Sequence, residues 1–401
     1  MRIVVAPDSF KGSIGAADAA AALADGWRDA RPGDELACVP LADGGEGTLE
    51  VLAATVSASM RPAPPWHPVQ VTGPGGGTVA SCWLELDNAT ACIELARASG
   101  LPLMAAPDPM GAQTTGTGEL IASALDAGAR RVVIALGGSA STDGGTGALT
   151  ALGARFLDAA GQELRAGGGA LGGLASADLT GLRPPPPGGV VCLTDVRAPL
   201  LGRRGAAAVF GPQKGAGPAQ VAVLEAGLAR LARVLGGDPE APGAGAAGGT
   251  GYGFAAAWDA DITPGAAELC RIVGLDRELA RADLVITGEG GYDATSGDGK
   301  VTGTVLAAAA RAAVPAALVA GTIAADPPPG VAASVALAGL AGGTAAAIED
   351  PRRWLRAAGQ LLARTASAGG YGRGASSTSS ISPRGDDPPS TPRRGASSAG
   401  Q

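Results

Sequence analysis

The first sixty residues alternate between short apolar runs and alanine-rich stretches that have helical spacing. Residues 2–7 (R-I-V-V-A-P) and 35–41 predict strands, whereas residues 14–30 and 46–56 predict helices. These strands are too apolar to be half exposed, so we infer a parallel sheet that helices cover on both faces. The alternation therefore places the chain in the α/β class.

The same pattern returns near the end of the chain, after a middle region of different character. Residues 284–287 and 316–320 predict two more strands, whereas the middle region carries a predicted hairpin at 79–86 and 90–95. We therefore predict a discontinuous α/β domain with a second, mixed α/β domain inserted in it. The predicted limits are 1–65 plus 280–367 for the outer domain, 66–279 for the inserted domain and 368–401 for a disordered tail rich in Ser, Gly, Pro and Arg.

Glycine and proline mark the predicted connections. Residues 60–78 are rich in both and predict a crossing between the two domains, and residues 237–251 predict a long loop. His67, in P-W-H-P, falls within the predicted crossing and is expected to be structural. Because it is the only histidine, the chain cannot form a multi-histidine metal site, and histidine-based nucleophilic catalysis would rest on this one residue. The chemistry must come from carboxylates, lysines, hydroxyls and the backbone.

Composition excludes several classes of protein. Hydrophobic residues make up 46% of the 401 residues, but aromatics only 3%, so the core must consist of Ala, Leu and Val. A net charge of −7 argues against a nucleic-acid partner, which would require a basic face. The chain has no apolar run long enough for a membrane span, and its N-terminus lacks the apolar region of a signal peptide. Five scattered cysteines without a C-x-x-C pair favour reduced thiols, so we expect a cytoplasmic protein.

Four segments near the ends of apolar runs share acidic residues that are set among glycines. Glycine lets the backbone approach a ligand and expose its N–H groups, and a carboxylate can hold Mg²⁺ or accept a proton. Several such segments in one chain predict a composite site for a phosphorylated, metal-bound ligand. The segments are A-P-D-S-F-K-G-S (6–13), A-D-G-G-E-G-T (42–48), G-G-S-A-S-T-D-G-G (137–145) and T-G-E-G-G-Y-D (287–293).

Each segment has a functional interpretation and a purely structural one. Asp8 and Lys11 follow a strand at the edge where open α/β sheets bind ligands, although they could simply shape a turn and lie in solvent. The second segment indicates a metal or substrate site, or else a helix N-terminus that favours acidic residues. The third suits an anion, or is a plain strand-to-helix turn. The candidates in these two segments are Asp43, Gly44, Gly45, Glu46, Gly138, Ser139, Ser141 and Asp143.

Further candidates lie outside these three segments. Asp195 ends an apolar strand, and Lys214 in F-G-P-Q-K-G-A either meets a phosphate or is an exposed turn lysine. The fourth segment and the lysine after it fit Mg²⁺ and phosphate, or surface salt bridges. A phosphate-binding loop of the G-x-x-x-x-G-K-[ST] type is absent, and the G-x-G-x-x-G at Gly243–Gly248 follows a Pro-rich loop instead of a strand. The candidates of the fourth group are Gly288, Glu289, Asp293 and Lys300.

Taken together, the motifs resemble those of the bacterial type-1 glycerate kinase family over about residues 1–365. The resemblance implies a Rossmann-like (flavodoxin-like) parallel-sheet domain with a second domain inserted, an active site in the cleft between them, and ATP, Mg²⁺ and D-glycerate as ligands. Two positions depart from the family pattern, because Gly291 replaces an Arg and Thr295 a Gln; a missing guanidinium could weaken phosphate or carboxylate recognition. The matching segments are A-P-D-S-F-K-G-S, P-L-A-D-G-G-E-G-T, T-G-T-G-E-L-I, G-G-S-A-S-T-D-G-G, L-T-D-V-R-A-P-L-L-G, F-G-P-Q-K-G-A, P-G-A-G-A-A-G-G and V-I-T-G-E-G.

From this resemblance we expect Mg²⁺-assisted, in-line transfer from ATP to D-glycerate, giving 2-phosphoglycerate, with 3-phosphoglycerate left open. Asp8 or Asp195 would orient or deprotonate the hydroxyl, and Lys11 and Lys214 would offset developing charge. A catalytically weak or dead sensor of glycerate or nucleotide is one alternative, and an NAD-dependent dehydrogenase another. The oligomeric state stays open. The expected catalytic residues are Asp8, Lys11, Asp195 and Asp293, and the expected metal ligands are Asp195, Glu289 and Asp293.

Overall fold

The computed structural model describes residues 1–59, 65–87, 89–297, 299–367 and 379–380. Its strands form two six-stranded sheets and one two-stranded sheet. The strands are β1 (Arg2–Val5), β2 (Glu35–Cys38), β3 (Trp66–Thr72), β4 (Thr78–Asp87), β5 (Thr90–Glu94), β6 (Arg131–Ala135), β7 (Arg155–Leu157), β8 (Ser176–Asp178), β9 (Val190–Thr194), β10 (Asp261–Pro264), β11 (Leu284–Tyr292), β12 (Ala316–Ile323), β13 (Val331–Ala336) and β14 (Ser379–Ser380).

Fourteen α-helices are found in the described part of the chain, together with 3-10 turns at Leu101–Leu103, Gly168–Gly173 and Pro212–Lys214. None of these helices is both long and apolar enough to cross a membrane. The helices are α1 (Ala16–Ala30), α2 (Thr48–Ser59), α3 (Ala96–Ser99), α4 (Thr115–Asp126), α5 (Thr146–Ala151), α6 (Ala206–Phe210), α7 (Pro218–Leu235), α8 (Ala246–Trp258), α9 (Gly265–Ile272), α10 (Leu275–Leu279), α11 (Val301–Arg311), α12 (Leu337–Ala341), α13 (Thr344–Glu349) and α14 (Pro351–Ser367).

The first sheet has the order β14-β13-β12-β11-β1-β2, and all of its pairs are parallel. Successive side chains of β1 point to opposite faces, so Ile3 and Val5 pack beneath α1 and α14, whereas Val4 packs against α11 on the other side. The predicted parallel sheet with both faces covered is therefore confirmed. The predicted disordered tail lies outside the described residues, apart from the β14 pair.

The second sheet is mixed, with the order β10-β9-β6-β5-β4-β3. Its strands β5, β6, β9 and β10 are parallel, and the predicted antiparallel hairpin of β4 and β5 is confirmed. Residues 60–78, predicted as a crossing between the domains, include the strand β3 at the edge of the sheet; an edge strand tolerates Pro68, which has no N–H to donate. His67 lies on this strand, with its ring stacked on Trp83 at 3.8 Å and its Nε2 2.9 Å from Glu85 Oε2. These contacts agree with the structural role that was expected for His67.

One segment next to the candidate site differs from the sequence prediction. The predicted strand at 284–287 was expected to end in a loop at 287–293, but β11 continues to Tyr292 and pairs with β12 over this length. Gly288 permits this pairing, because a Cβ there would overlap the Val319 carbonyl. The predicted loop at 237–251 agrees with the structure to within a few residues, because Ala247, Gly248 and Gly249 at the start of α8 do not have helical conformations.

The loop between β2 and α2 connects the two large sheets through glycines. A Cβ on Gly44 would overlap Leu193 of β9, one on Gly137 would overlap Gly45, and one on Gly265 would overlap the Asp43 carbonyl. The following helix, α2, packs on the second sheet, where Leu49 and Leu52 belong to a cluster with Cys92 and Val133. The loop that carries Asp43 is therefore held against the ends of β6 and β9. The domain limits given above stay a prediction.

Candidate active site

Two adjoining pockets lie beside these loops. The first is a cavity of about 960 Å³ and the second one of about 470 Å³. Both volumes fall in the range of small-molecule sites. The pockets have a set of lining residues in common, here called the shared wall. It consists of Asp8, Ser9, Phe10, Lys11, Ser13, Asp43 and Asp195.

Asp8 stands on the shared wall directly after β1. Its N–H donates to the Gly288 carbonyl at 2.8 Å, which extends the β1–β11 pairing, and its Oδ1 accepts the Ser9 N–H at 2.6 Å. Desolvation, together with the negative charges of Asp43 and Glu289, raises the pKa of Asp8 to about 7 against the opposing effect of the Ser9 N–H. A carboxylate with this pKa can accept a proton near neutral pH.

Asp43 and Asp195 complete the acidic part of the shared wall. Asp43 Oδ1 accepts the Gly45 N–H at 2.9 Å, a bond that holds this side chain at the turn. Asp195 follows β9 and has an exposed side chain. Desolvation by the surrounding walls raises the pKa of Asp195, as does the charge of Asp43, whereas Lys11 and Lys300 lower it. Three carboxylates and the exposed ammonium of Lys11 thus come together on the shared wall.

Glu289 and Lys300 line the second pocket. Glu289 is only 8% exposed, and among the described residues no donor reaches its Oε1. Burial raises the pKa of Glu289, whereas the nearby hydroxyls of Thr302 and Ser296 and the charge of Lys300 lower it. Thr302 Oγ1 lies near the carboxylate but makes no hydrogen bond of acceptable geometry within the described chain. A buried carboxylate oxygen without a partner is costly, so this one is suited to a ligand.

Asp293 is not brought to either pocket. Its side chain is exposed, and its Oδ1 accepts both the N–H and the hydroxyl of Thr295, at 2.8 and 2.6 Å. These two bonds lower the pKa of Asp293. The negative charge of Asp293 still raises the pKa of Glu289. Its position indicates that Asp293 shapes the turn before α11 and does not contact a ligand in either pocket.

The segment 137–145 divides into a part that lines the first pocket and a part that supports it. Gly138 and Ser139 line the pocket, whereas Asp143 is fully buried. Asp143 Oδ2 accepts the N–H and hydroxyl of Thr114 at 3.0 and 2.8 Å and the Gly147 N–H at 3.2 Å, and its Oδ1 accepts the Gly145 N–H. With these donors, Asp143 joins the starts of α4 and α5 and holds the segment in place.

Lys214 lines the first pocket and is only 2% exposed, so the alternative of an exposed turn lysine was wrong. Its Nζ donates to the Ser141 carbonyl. Ser141 does not line either pocket, but its Oγ is 3.0 Å from Ser139 Oγ. Desolvation lowers the pKa of Lys214 to about 8, and the charge of Asp143 works in the opposite direction.

The candidate glycines also divide into two groups. Gly45 and the exposed Glu46 line the first pocket. Gly44 and Gly288 line neither of these two pockets; they lie at close contacts with the second sheet and with β12. Their contribution is to place Asp43 and Asp8.

Several pocket residues were missed by the sequence analysis. Ser9, Phe10 and Ser13 lie in the quoted segment 6–13 but were not singled out. Ala247 and Gly248 line the first pocket from the start of α8. Their quoted segment, P-G-A-G-A-A-G-G, was a signal for a special backbone, and Ala247, Gly248 and Gly249 do have left-handed conformations with φ of 50°, 67° and 90°.

The donor set can be tested for Mg²⁺. Within the part of the chain that the structure describes, no group of three His, Cys, Asp or Glu side chains is close enough to hold a metal ion. Mg²⁺ in phosphoryl-transfer sites needs only one or two carboxylates, because phosphate oxygens and water supply the remaining ligands. The unpartnered Oε1 of Glu289 and the exposed Asp195 fit this requirement.

Comparisons with known proteins agree on one family. A model of the glycerate kinase family matches residues 3–367. Glycerate 2-kinase of Escherichia coli (strain K12) is 42% identical over 310 residues, which cover 75% of this chain and 80% of that protein. Glycerate kinase of Bacillus subtilis (strain 168) is 42% identical over 337 residues, with 81% and 86% covered.

A solved structure extends this likeness to three dimensions. The crystal structure of a protein named glycerate kinase 2, from Salmonella typhimurium LT2, is 37% identical, with a TM-score of 0.77, and covers 92% of this chain and 99% of that chain. The mixed α/β fold is thus shared over nearly the whole length. The chain belongs to the glycerate kinase family and is a phosphotransferase that acts on an alcohol group.

Proposed function

We propose that the protein transfers the γ-phosphoryl group of ATP to D-glycerate, in the cleft between the two sheets, and forms 2-phosphoglycerate. The names of the relatives support glycerate as the acceptor. The observation that carries the proposal is the shared wall, because it joins two pockets of small-molecule size through three carboxylates and a lysine. Two substrates that enter from opposite sides would meet there.

In this mechanism the acceptor hydroxyl is activated by Asp8. Its pKa of about 7 lies near the operating pH, where a general base is most effective. The β1 end and the Ser9 N–H hold the carboxylate in one orientation. Asp195 is the alternative base and is otherwise assigned to the metal.

Asp195 and Glu289 would hold Mg²⁺. When bound, the ion neutralises charge on the ATP phosphates and orients the transferring group. The side chain of Asp293 is assigned to shaping the turn before α11, since both the N–H and the hydroxyl of Thr295 occupy its Oδ1.

Positive charge and N–H groups stabilise the transferring phosphoryl group. Lys11 stands on the shared wall and Lys300 in the second pocket, so both face the path of transfer. Gly138 and Ser139 contribute N–H and hydroxyl donors, and Gly45 and Glu46 border the same pocket. Closure over both substrates would exclude water, which otherwise competes as acceptor.

A coupled assay of ADP formation with D-glycerate tests the proposal, and NMR of the product distinguishes 2- from 3-phosphoglycerate. The variant Asp195→Asn should keep the fold, as circular dichroism can verify, and lose about a hundredfold or more in turnover. Turnover close to that of the unsubstituted protein would remove Asp195 from the mechanism.

A catalytically silent sensor is the second candidate, because Gly291 in the second pocket lacks the guanidinium of the family pattern. A sensor would bind glycerate and form no ADP. The same assay, together with calorimetric titration of glycerate, separates the two functions. The match to the glycerate kinase family favours a phosphotransferase over the alternative of an NAD-dependent dehydrogenase.

A further inference from the structure

One of the residues that line the first pocket is a buried cation that makes no ion pair with the described part of the chain. Lys214 is 2% exposed, and in the described part of the chain its ammonium has one hydrogen-bond acceptor, the carbonyl of Ser141. The nearby carboxylate, Asp143, is occupied by the N–H and hydroxyl groups of Thr114 and the loop. Burying an ammonium is expensive unless an anion pairs with it, so the ligand is expected to supply that anion.

The backbone around Lys214 is also arranged as a donor surface. Ala247 and Gly248 line the same pocket in left-handed conformations. Their N–H groups make no hydrogen bond to the Gly243 and Ala244 carbonyls, the bonds that a regular helix would form. A Cβ on Gly248 would overlap the Ser141 carbonyl, so this backbone is pressed against the acceptor of Lys214. Consecutive N–H groups that have no acceptor among the described residues, beside an ammonium, form a concave anion site.

The second pocket has the opposite character. Its buried carboxylate, Glu289, has an unpartnered oxygen that would repel a free carboxylate but accept the Mg²⁺ of a metal-bound polyphosphate. Leu337, Ala347 and Ile348 give this pocket an apolar side at the ends of the parallel strands. An apolar surface beside a metal ligand suits a nucleotide, whose base is flat and whose phosphates bind the metal.

We propose that Lys214, with the N–H groups of Ala247 and Gly248, binds the carboxylate of the hydroxy-acid substrate, and that the nucleotide occupies the second pocket. The inference rests on the proposed function and specifies which ligand takes which pocket. The carboxylate then anchors the acid on the far side of the first pocket, and its hydroxyl faces the shared wall with Asp8. Recognition of the acid depends on charge at this one point.

Steady-state kinetics of Lys214→Met test the assignment with two acceptors, D-glycerate and its uncharged amide. For glycerate, kcat/KM should fall about 10- to 100-fold, the range for a lost hydrogen bond to a charged group. For the amide it should change less than about threefold, so the preference for glycerate over the amide should collapse. The KM for ATP should stay within about twofold. Lys300→Met, in the second pocket, is the matched control and should raise the KM for ATP without changing this preference.

A measurement on the unsubstituted protein does not depend on the folding of a variant. Propionate, a carboxylate without a hydroxyl, should inhibit competitively against glycerate and not against ATP. Competition of propionate with ATP, or a Lys214→Met variant that raises the KM for ATP and keeps its acid preference, would overturn the assignment.

Failure of the proposed function gives a different result. In that case the unsubstituted protein forms no ADP, and the binding of glycerate is measured by the change that glycerate causes in the melting temperature. A rise in melting temperature that Lys214→Met abolishes supports the carboxylate site even then; an equal rise in both proteins contradicts it.

Discussion

Replacing Asp8 by asparagine should stabilise the free protein while it abolishes activity. The carboxyl of Asp8 has a pKa of about 7 in the folded protein and an ordinary value of 3.8. Between these values the folded chain holds a proton that the unfolded chain has released, so stability falls as the pH rises through this window. At 1.36 kcal/mol per pH unit, the full cost at pH 8 is about 4 kcal/mol, and at pH 4.5 it is about 1 kcal/mol.

Urea denaturation of both proteins without ligands, at pH 8 and at pH 4.5, measures this difference. The asparagine side chain keeps an oxygen for the Ser9 N–H and lacks the charge, so the variant should be the more stable protein, by up to about 4 kcal/mol at pH 8 and by only about 1 kcal/mol at pH 4.5. Asp143→Asn is the contrasting control, because that buried carboxylate is fully hydrogen bonded; it should destabilise the protein by about 2 kcal/mol or more. An Asp8→Asn variant that is less stable at pH 8, or that differs equally at both pH values, would refute the electrostatic argument.

Three other expectations follow from the site. Because the pKa of Lys214 is about 8, kcat/KM for glycerate should fall as the pH rises above 8, and a pH profile of Lys214→Met should lack this decline. Gly291→Arg should be tolerated, since a Cβ at this position meets only Thr322 Oγ1 at 3.5 Å, and should lower the KM for ATP about tenfold; a lower KM for glycerate alone would contradict the pocket assignment. Glu289→Gln should raise the Mg²⁺ concentration for half-maximal rate about tenfold or more, and an unchanged Mg²⁺ dependence would remove Glu289 from the metal site.

The elements that could be predicted from sequence are those with a strong local signal. β1 and α1 were expected within two residues of their observed bounds, because apolar runs and helical periodicity are local properties. The acid-and-glycine pattern led to Asp8 and Asp43, and the end of an apolar run led to Asp195; all three line the shared wall.

The errors have a common physical cause: the same residues serve different purposes in different environments. In the segment 287–293 the glycines predicted a loop, yet Gly288 is needed for the close approach of β12. Asp143 stands in the same acid-and-glycine pattern as Asp43, but only burial and its hydrogen-bond donors reveal a structural carboxylate. The burial of Lys214 was equally invisible in F-G-P-Q-K-G-A, since the Ser141 carbonyl that accepts from its ammonium lies 73 residues away in the sequence.

The glycine contacts between the Asp43 loop and the second sheet set a limit on how the enzyme can move. With no space for even one methyl group between Gly45 and Gly137, or between Gly44 and Leu193, sliding at this point is blocked. The closure proposed above would then pivot there, so that Asp43 and the neighbouring Asp195 would move least and the outer pocket rims most. Asp43 and Asp195 would then hold the same positions before and after the substrates bind, and closure would bring the outer parts of the pockets towards them.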